Sequence, residues 1–193
     1  KSAEAHNREP LVSLRAGIIG IGKMGANHAR ILSRMPPVDL MGFFDTNAEV
    51  RIQGINRYPS LDEMLASVDY VIISSPTVKH LEHGLFAAQN GVAALIEKPL
   101  AATPVDANAL RDAFKSSGTT AAVGMVERFN VSVLETKKRL ELGEIGEPFH
   151  ISTTRAGPFS GRINDVGVGL DLATHDLDLV QWILTSEISS ISV

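Results

Sequence analysis

The sequence predicts an α/β protein: a doubly wound parallel sheet with helices on both faces, followed by the start of an α+β domain with a mainly antiparallel sheet. Three observations carry this expectation. From Arg15 onward, short and nearly continuous apolar runs alternate with longer amphipathic ones. Apolar strands without alternation need cover on both faces, which a parallel sheet between helix layers provides. A glycine pattern, G-x-G-x-x-G, sits at the first strand-to-helix junction. After Met125 the texture shifts toward half-exposed alternation, which places a second domain from residue 128.

The elements follow in order. "AGIIGI" reads as a buried strand, and the helix after it, Lys23 to about Met35, is stopped by Pro36-Pro37. "VDLMGFF" is a second strand ending at Asp45. Between Asp45 and Leu61 there is room only for a stunted helix. "YVIISS" is the third strand, and "VKHLEHGLFAAQN" a helix closed by Gly91. "VAALIE" runs into Lys98-Pro99, and Thr103-Pro104 opens a helix to about Ser117 as N-cap and first helical residue. "TTAAVGM" completes the first domain, residues 15–127. Beyond it come a helix from Val131 to Leu142, an alternating strand "PFHISTTRAG", a helix in "GVGLDLATHDLDLV" and a last strand in "SEISSISV". Residues 1–14 read as a tail: a tag remnant, a frayed end or a trimmed extension.

Composition narrows the function classes. A net charge of −4 leaves no basic footprint for nucleic acid. No cysteine is present, so disulfides, thiolate metal sites and thiol nucleophiles are excluded, and a cytoplasmic location is expected. No apolar run approaches the roughly 18–20 residues of a membrane span.

Gly20, Gly22 and Gly25 lie between a strand and a helix, with Lys23 and Met24 between the last two. In the Rossmann arrangement the first glycine makes the tight turn and the second admits a pyrophosphate to the backbone. The third lets helix and strand approach, and the helix N-terminus faces the phosphates. Asp45, 20 residues beyond Gly25 at the end of the next strand, suits the ribose hydroxyls of NAD and repels a 2′-phosphate. NAD is the expected cofactor; NADP is disfavoured, with Arg51 the residue that keeps it open.

Four segments in order, "GIIGIGKMGANHARIL", "SSPTVKHLEHGLFAAQNGVAALIEKPLA", "VGMVERFN" and "DLATHDLD", resemble the Gfo/Idh/MocA oxidoreductases from Arg15 to Val193. Within that family, "VGMVERFN" and "RAGPFSGRINDVGVGLDLATHDLDL" are most similar to the UDP-N-acetylglucosamine 3-dehydrogenases. The resemblance implies NAD-dependent oxidation of a secondary hydroxyl of a sugar, the C3 hydroxyl of a UDP-N-acetylhexosamine. It implies catalytic roles for Lys98, Asp171 and His175. Ser75, Pro76, Thr77, His80, Glu97 and Lys98 join the glycine loop and Asp45 as cofactor residues; Arg128, Asn130, Arg155, Arg162 and Asp171 face the substrate.

The residue chemistry is compatible with those roles. Histidine titrates near ambient pH and suits a base that takes a hydroxyl proton. An ammonium at a strand's carboxyl end can stabilise alkoxide character. Arginine forks suit a diphosphate or carboxylate. Asp176 and Asp178 are expected to serve the helix itself. No metal is expected, because nicotinamide already accepts the hydride. Ala173 stands where the family usually has glycine, and the second sheet ends early, so the chain is expected to be truncated and to associate as a homo-oligomer. Two alternatives stay open: a non-catalytic dinucleotide-binding protein, and a family dehydrogenase acting on another polyol such as inositol.

Overall fold

The computed structural model describes residues 13–155 and 172–192. Five strands form one parallel sheet: β1 (Leu14–Ile19), β2 (Val38–Phe44), β3 (Tyr70–Ile73), β4 (Ala93–Ile96) and β5 (Ala121–Val123), in the order β2-β1-β3-β4-β5. Six helices accompany them: α1 (Lys23–Leu32), α2 (Leu61–Leu65), α3 (His80–Gln89), α4 (Pro104–Ser117), α5 (Val131–Glu141) and α6 (Thr174–Leu184).

At β1, β3 and β4 the sheet is buried on both faces because these strands carry apolar residues at successive positions, whereas the edge strand β5 is largely exposed. Ile18, Phe43 and Ile72 pack with Ala29 and Leu32 of α1 on one side. Ile19, Val71, Ile73 and Ile96 pack with α2, α3 and α4 on the other. Neighbouring residues of one strand thus feed opposite cores, as a period of two requires. Gly84 lets α3 and α4 meet: a Cβ there would stand 2.4 Å from Leu110 Cδ2.

Local signals place most helix ends. The Thr103 hydroxyl accepts from the Asp106 N–H at 3.1 Å with Pro104 at the first position, as expected. Gly91, just past α3, has φ +69°, a conformation that glycine adopts without cost. The crossover after β2 is even shorter than expected. Residues 46–60 contain no helix, and α2 is a five-residue helix beginning at Leu61.

Two strand expectations fail. Neither 148–155 nor 186–192 forms a strand among the described residues. In 148–155 Phe149 and Ile151 alternate with polar residues, but alternation supplies a face and not a hydrogen-bonding neighbour; in 186–192 the apolar Ile188 and Ile191 stand three apart and define no strand face; every described ladder lies in the one parallel sheet. The expected antiparallel sheet therefore has no counterpart among the described residues. No helix among them is long and apolar enough to cross a membrane.

Candidate functional site

Strand order reverses between β1 and β3, and a crevice for ligands opens at the carboxyl ends of strands flanking such a switch point. Here the two strand ends touch. Gly20, at φ +87°, lies so close to Ser75 that a Cβ would sit 2.7 Å from its backbone. The Ser74 hydroxyl donates to the Gly20 carbonyl at 2.8 Å. Gly25 is buried beneath the loop, where a Cβ would meet the Gly20 carbonyl oxygen at 2.0 Å.

Gly22 differs: nothing lies within 4 Å of where its Cβ would point. It heads α1 without a side-chain cap, and the first turn of that helix holds no acid. This open glycine, before a run of amide hydrogens with no competing carboxylate, fits a dinucleotide pyrophosphate. Lys23 and Met24 are exposed beside it.

Asp45 stands at the tip of β2, as expected from the sequence, and is engaged with the backbone on both sides. One carboxylate oxygen accepts from the Ile21 N–H at 2.7 Å, the other from the Asn47 N–H at 2.8 Å. It therefore pins the glycine loop to β2, while each oxygen retains accepting capacity for a hydroxyl.

The turn after β4 carries Glu97 and Lys98, side by side. Glu97 is 9% exposed; its carboxylate lies 2.7 Å from His28 Nε2 on α1. It also packs over Gly124, where a Cβ would come within 3.1 Å of Glu97 Oε2. The His28–Glu97 pair ties the glycine-loop helix to the residue next to Lys98. Sequence reasoning missed His28, although its position three residues after Gly25 places both on neighbouring turns of one helix face.

Ser75, Pro76, Thr77 and His80 are expected from the sequence among the cofactor residues. The structure puts His80 inside the protein, 1% exposed. Its Nε2 faces the Ser75 carbonyl at 3.0 Å and its Nδ1 the Pro99 carbonyl at 3.0 Å. His83, one turn on, contacts the Ser75 hydroxyl through Nδ1 at 2.9 Å. Two buried histidines thus hold Ser75 at both its carbonyl and its hydroxyl, and one of them also holds the turn that carries Lys98. Thr77 is buried and Pro76 exposed.

Burial pushes the His83 pKa below its ordinary value of 6.5; nearby Lys79 and His80 push the same way, and Glu82 opposes them. As pH falls, the unfolded chain takes up the proton before the folded one does. Stability from this group is therefore complete above about pH 6.5 and lost below it. His83→Gln should flatten that part of a melting-temperature profile between pH 7.5 and 5; an unchanged slope would contradict it.

His175 lies in the first turn of α6, half-buried. That helix is fastened to the end of the dinucleotide domain by arginines. Arg128, in the 3₁₀ turn Val126–Phe129 after β5, forks onto Asp178, donating to Oδ2 at 2.8 Å. Arg155 clamps Asp176 at 3.1 Å and reaches Glu127 at 3.3 Å. These carboxylates raise the pKa of both guanidiniums through hydrogen bonding. Both arginines were expected on the substrate; the structure shows each engaged with α6, and Asp176 and Asp178 serving that helix. Asn130 caps α5, accepting from the Ser132 N–H at 3.0 Å. Asp171 and Arg162 lie outside the described residues.

Comparison with known proteins agrees with this geometry. The profile of the Gfo/Idh/MocA oxidoreductase family, NAD-binding Rossmann fold, matches residues 14–125. UDP-N-acetylglucosamine 3-dehydrogenase of Acidithiobacillus ferrooxidans is 32% identical over 92% of this chain and 56% of its own. Its crystal structure superposes with a TM-score of 0.82 at 32% identity, over 93% of this chain and 59% of that one. The NAD-dependent scyllo-inositol 2-dehydrogenase of Bacillus subtilis is 30% identical over 93% of this chain and 56% of its own. The WlbA dehydrogenase of Bordetella pertussis, solved with NADH and UDP-GlcNAcA, gives a TM-score of 0.75 at 26% identity, over 89% and 55% of the two chains. The chain spans about 56% of the length of the curated relatives it matches. With a crevice at the strand-order switch, a glycine open to phosphate and a profile match from β1 to Met125, the chain belongs to the Gfo/Idh/MocA family of NAD-binding oxidoreductases.

Proposed function

We propose that the chain serves NAD-dependent oxidation of a secondary hydroxyl on a sugar, with a UDP-N-acetylhexosamine oxidised at C3 as the best substrate. The observation that carries this reading is the position of the Glu97-Lys98 turn. His28 and His80 fasten it from two sides to the glycine-loop helix and to Ser75, which supports a role for Lys98 beside the cofactor. Similarity to the UDP-N-acetylglucosamine 3-dehydrogenase and to the complex holding NADH and UDP-GlcNAcA supports the choice of sugar.

In this reading, bound NAD supplies the hydride acceptor. The open face at Gly22 and the amides of α1 hold the pyrophosphate, and Asp45 the adenosine ribose. His175 would hold and take the proton of the substrate hydroxyl, while the hydride acceptor for the carbinol carbon would be the cofactor when bound. Lys98 stabilises the oxygen while negative charge develops on it. Asp171 orients the imidazole or holds an adjacent sugar hydroxyl. The arginine clamps from Arg128 and Arg155 set the position of α6, and with it His175.

Incubating the chain with NAD and either UDP-N-acetylglucosamine or myo-inositol, and following absorbance at the NADH band, tests this. NADH formed with the UDP-sugar and not the polyol is the expected result. NADH with inositol alone transfers the reading to the polyol dehydrogenases, to which the 30% identity with scyllo-inositol 2-dehydrogenase gives support. NAD binding with no NADH from either substrate would favour a non-catalytic dinucleotide-binding role.

A further inference from the structure

We infer that His80 is an imidazolium, protonated on both ring nitrogens inside the protein, and that it clasps the end of β3 to the turn carrying Lys98. The charge follows from hydrogen-bond geometry alone; the consequence for catalysis rests on the role proposed for Lys98. His80 opens α3 and is 1% exposed. Its Nε2 lies 3.0 Å from the Ser75 carbonyl oxygen. Its Nδ1 lies 3.0 Å from the Pro99 carbonyl oxygen and 3.3 Å from that of Leu100. A backbone carbonyl accepts and cannot donate. A neutral imidazole has one N–H and one bare lone pair, so either tautomer would turn that lone pair on a carbonyl oxygen. The doubly protonated ring donates on both sides.

Burial of a charge opposes this state, and so does its position at a helix N-terminus. Against both stand three carbonyl oxygens, whose negative ends meet the ring at its two N–H groups. Hydrogen bonds from an ionised donor are roughly twice as strong as neutral ones, and a polar atom left bare in a site closed to water loses its bond outright. Among the described residues no carboxylate forms an ion pair with His80: Glu82 is exposed and holds Lys79, and Glu97 holds His28. The carbonyl dipoles are its counter-charge. His83, one turn on, gives the contrast. It faces the Ser75 hydroxyl at 2.9 Å, a group that donates or accepts as required. Its pKa is lowered, first by burial and also by the neighbouring His80, so of two adjacent buried histidines one is charged and the other neutral.

The clasp joins two strand ends. Ser75 backs the glycine loop so closely that a Cβ on Gly20 would stand 2.7 Å from it, and Pro99 directly follows Lys98. A ring with a single N–H serves one of these sides and releases the other. His80 is thus a positioning residue that acts through the Lys98 turn.

At about pH 7.5, where an ordinary histidine is neutral, an isotope-labelled chain tests the charge. Long-range proton–nitrogen correlation reads each imidazole, assigned through bonds from its own Cβ. The expected spectrum shows two protonated nitrogens on the His80 ring, both N–H protons in slow exchange with water, and one protonated nitrogen on His83. A single protonated nitrogen on His80, or fast exchange of either proton, would overturn the inference. The consequence for catalysis is read from NADH formation with UDP-N-acetylglucosamine in His80→Gln, Lys98→Met and the double variant, with thermal melts establishing that each folds. Glutamine donates from one nitrogen and turns its oxygen on the remaining carbonyl. His80→Gln is expected to lower kcat about tenfold or more alone, and to have little further effect once Lys98 is replaced. Equal factors in both backgrounds would separate His80 from Lys98 and overturn the positioning role. Should the unaltered chain form no NADH, the proposed reaction fails, and the two ring protons of His80 alone decide the clasp.

Discussion

Gly25→Ala should abolish NAD binding and lower the melting temperature, whereas Gly22→Ala should weaken NAD and leave the fold unchanged. The two glycines stand three residues apart but meet opposite surroundings. A Cβ on Gly25 would lie 2.0 Å from the Gly20 carbonyl oxygen and 2.8 Å from the Ser74 hydroxyl. The first contact is with backbone, which cannot rotate away, so the glycine turn must move. Overpacking of this kind costs about 1–3 kcal/mol, and the displaced turn is the one that receives the pyrophosphate. A Cβ on Gly22 meets nothing of the protein. It occupies only the space that the phosphates need, so the expected loss is about tenfold or more in NAD affinity, near 1.4 kcal/mol, with an unchanged melt. Calorimetry and thermal melts on both variants check this. Equal NAD affinity in Gly22→Ala and the unaltered chain would place the dinucleotide elsewhere.

Lys98→Met should cost turnover and spare cofactor binding. The side chain is half-buried on a turn fixed from two sides by His28–Glu97 and His80–Pro99, and methionine keeps most of its stem. What is lost is the ammonium to which the proposed function assigns stabilisation of the charge developing on the substrate oxygen. Interactions of this kind are worth about 10²–10³ in kcat. The NAD dissociation constant, measured without substrate, should change by less than about fivefold, because the ammonium is assigned to the reacting oxygen. A variant that binds NAD poorly but turns over at the normal rate when saturated would reassign Lys98 to the cofactor alone.

The parts of the fold written in local pattern were legible. Thr103-Pro104 is a cap in sequence and in structure, Gly91 ends α3, and the glycine loop sits between β1 and α1 with Asp45 at the end of β2. Contacts between distant residues were not. His28 and Glu97 are 69 positions apart, and Arg128 and Asp178 are 50 apart, so no local periodicity announces either pair. His80 had a readable signal that the motif obscured. His80, His83, Gly84, Ala87 and Ala88 are the buried positions of α3 and follow helical spacing, which places both histidines on the core face. The stretch 148–155 shows the converse: Phe149 and Ile151 alternate with polar residues as in a strand, and without a paired neighbour they make none.

In the proposed reaction a carbinol hydrogen of a UDP-N-acetylhexosamine passes to NAD in the crevice between the Gly20–Ser75 contact and Lys98. Single-turnover incubation of the chain with NAD and UDP-N-acetylglucosamine deuterated at C3, followed by mass spectrometry of the reduced nucleotide, follows that hydrogen. The reduced nucleotide is expected to carry one deuterium, with the 3-keto sugar accumulating in equal amount. Reduced nucleotide formed without the label, or none formed while NAD and the sugar both bind, would contradict it.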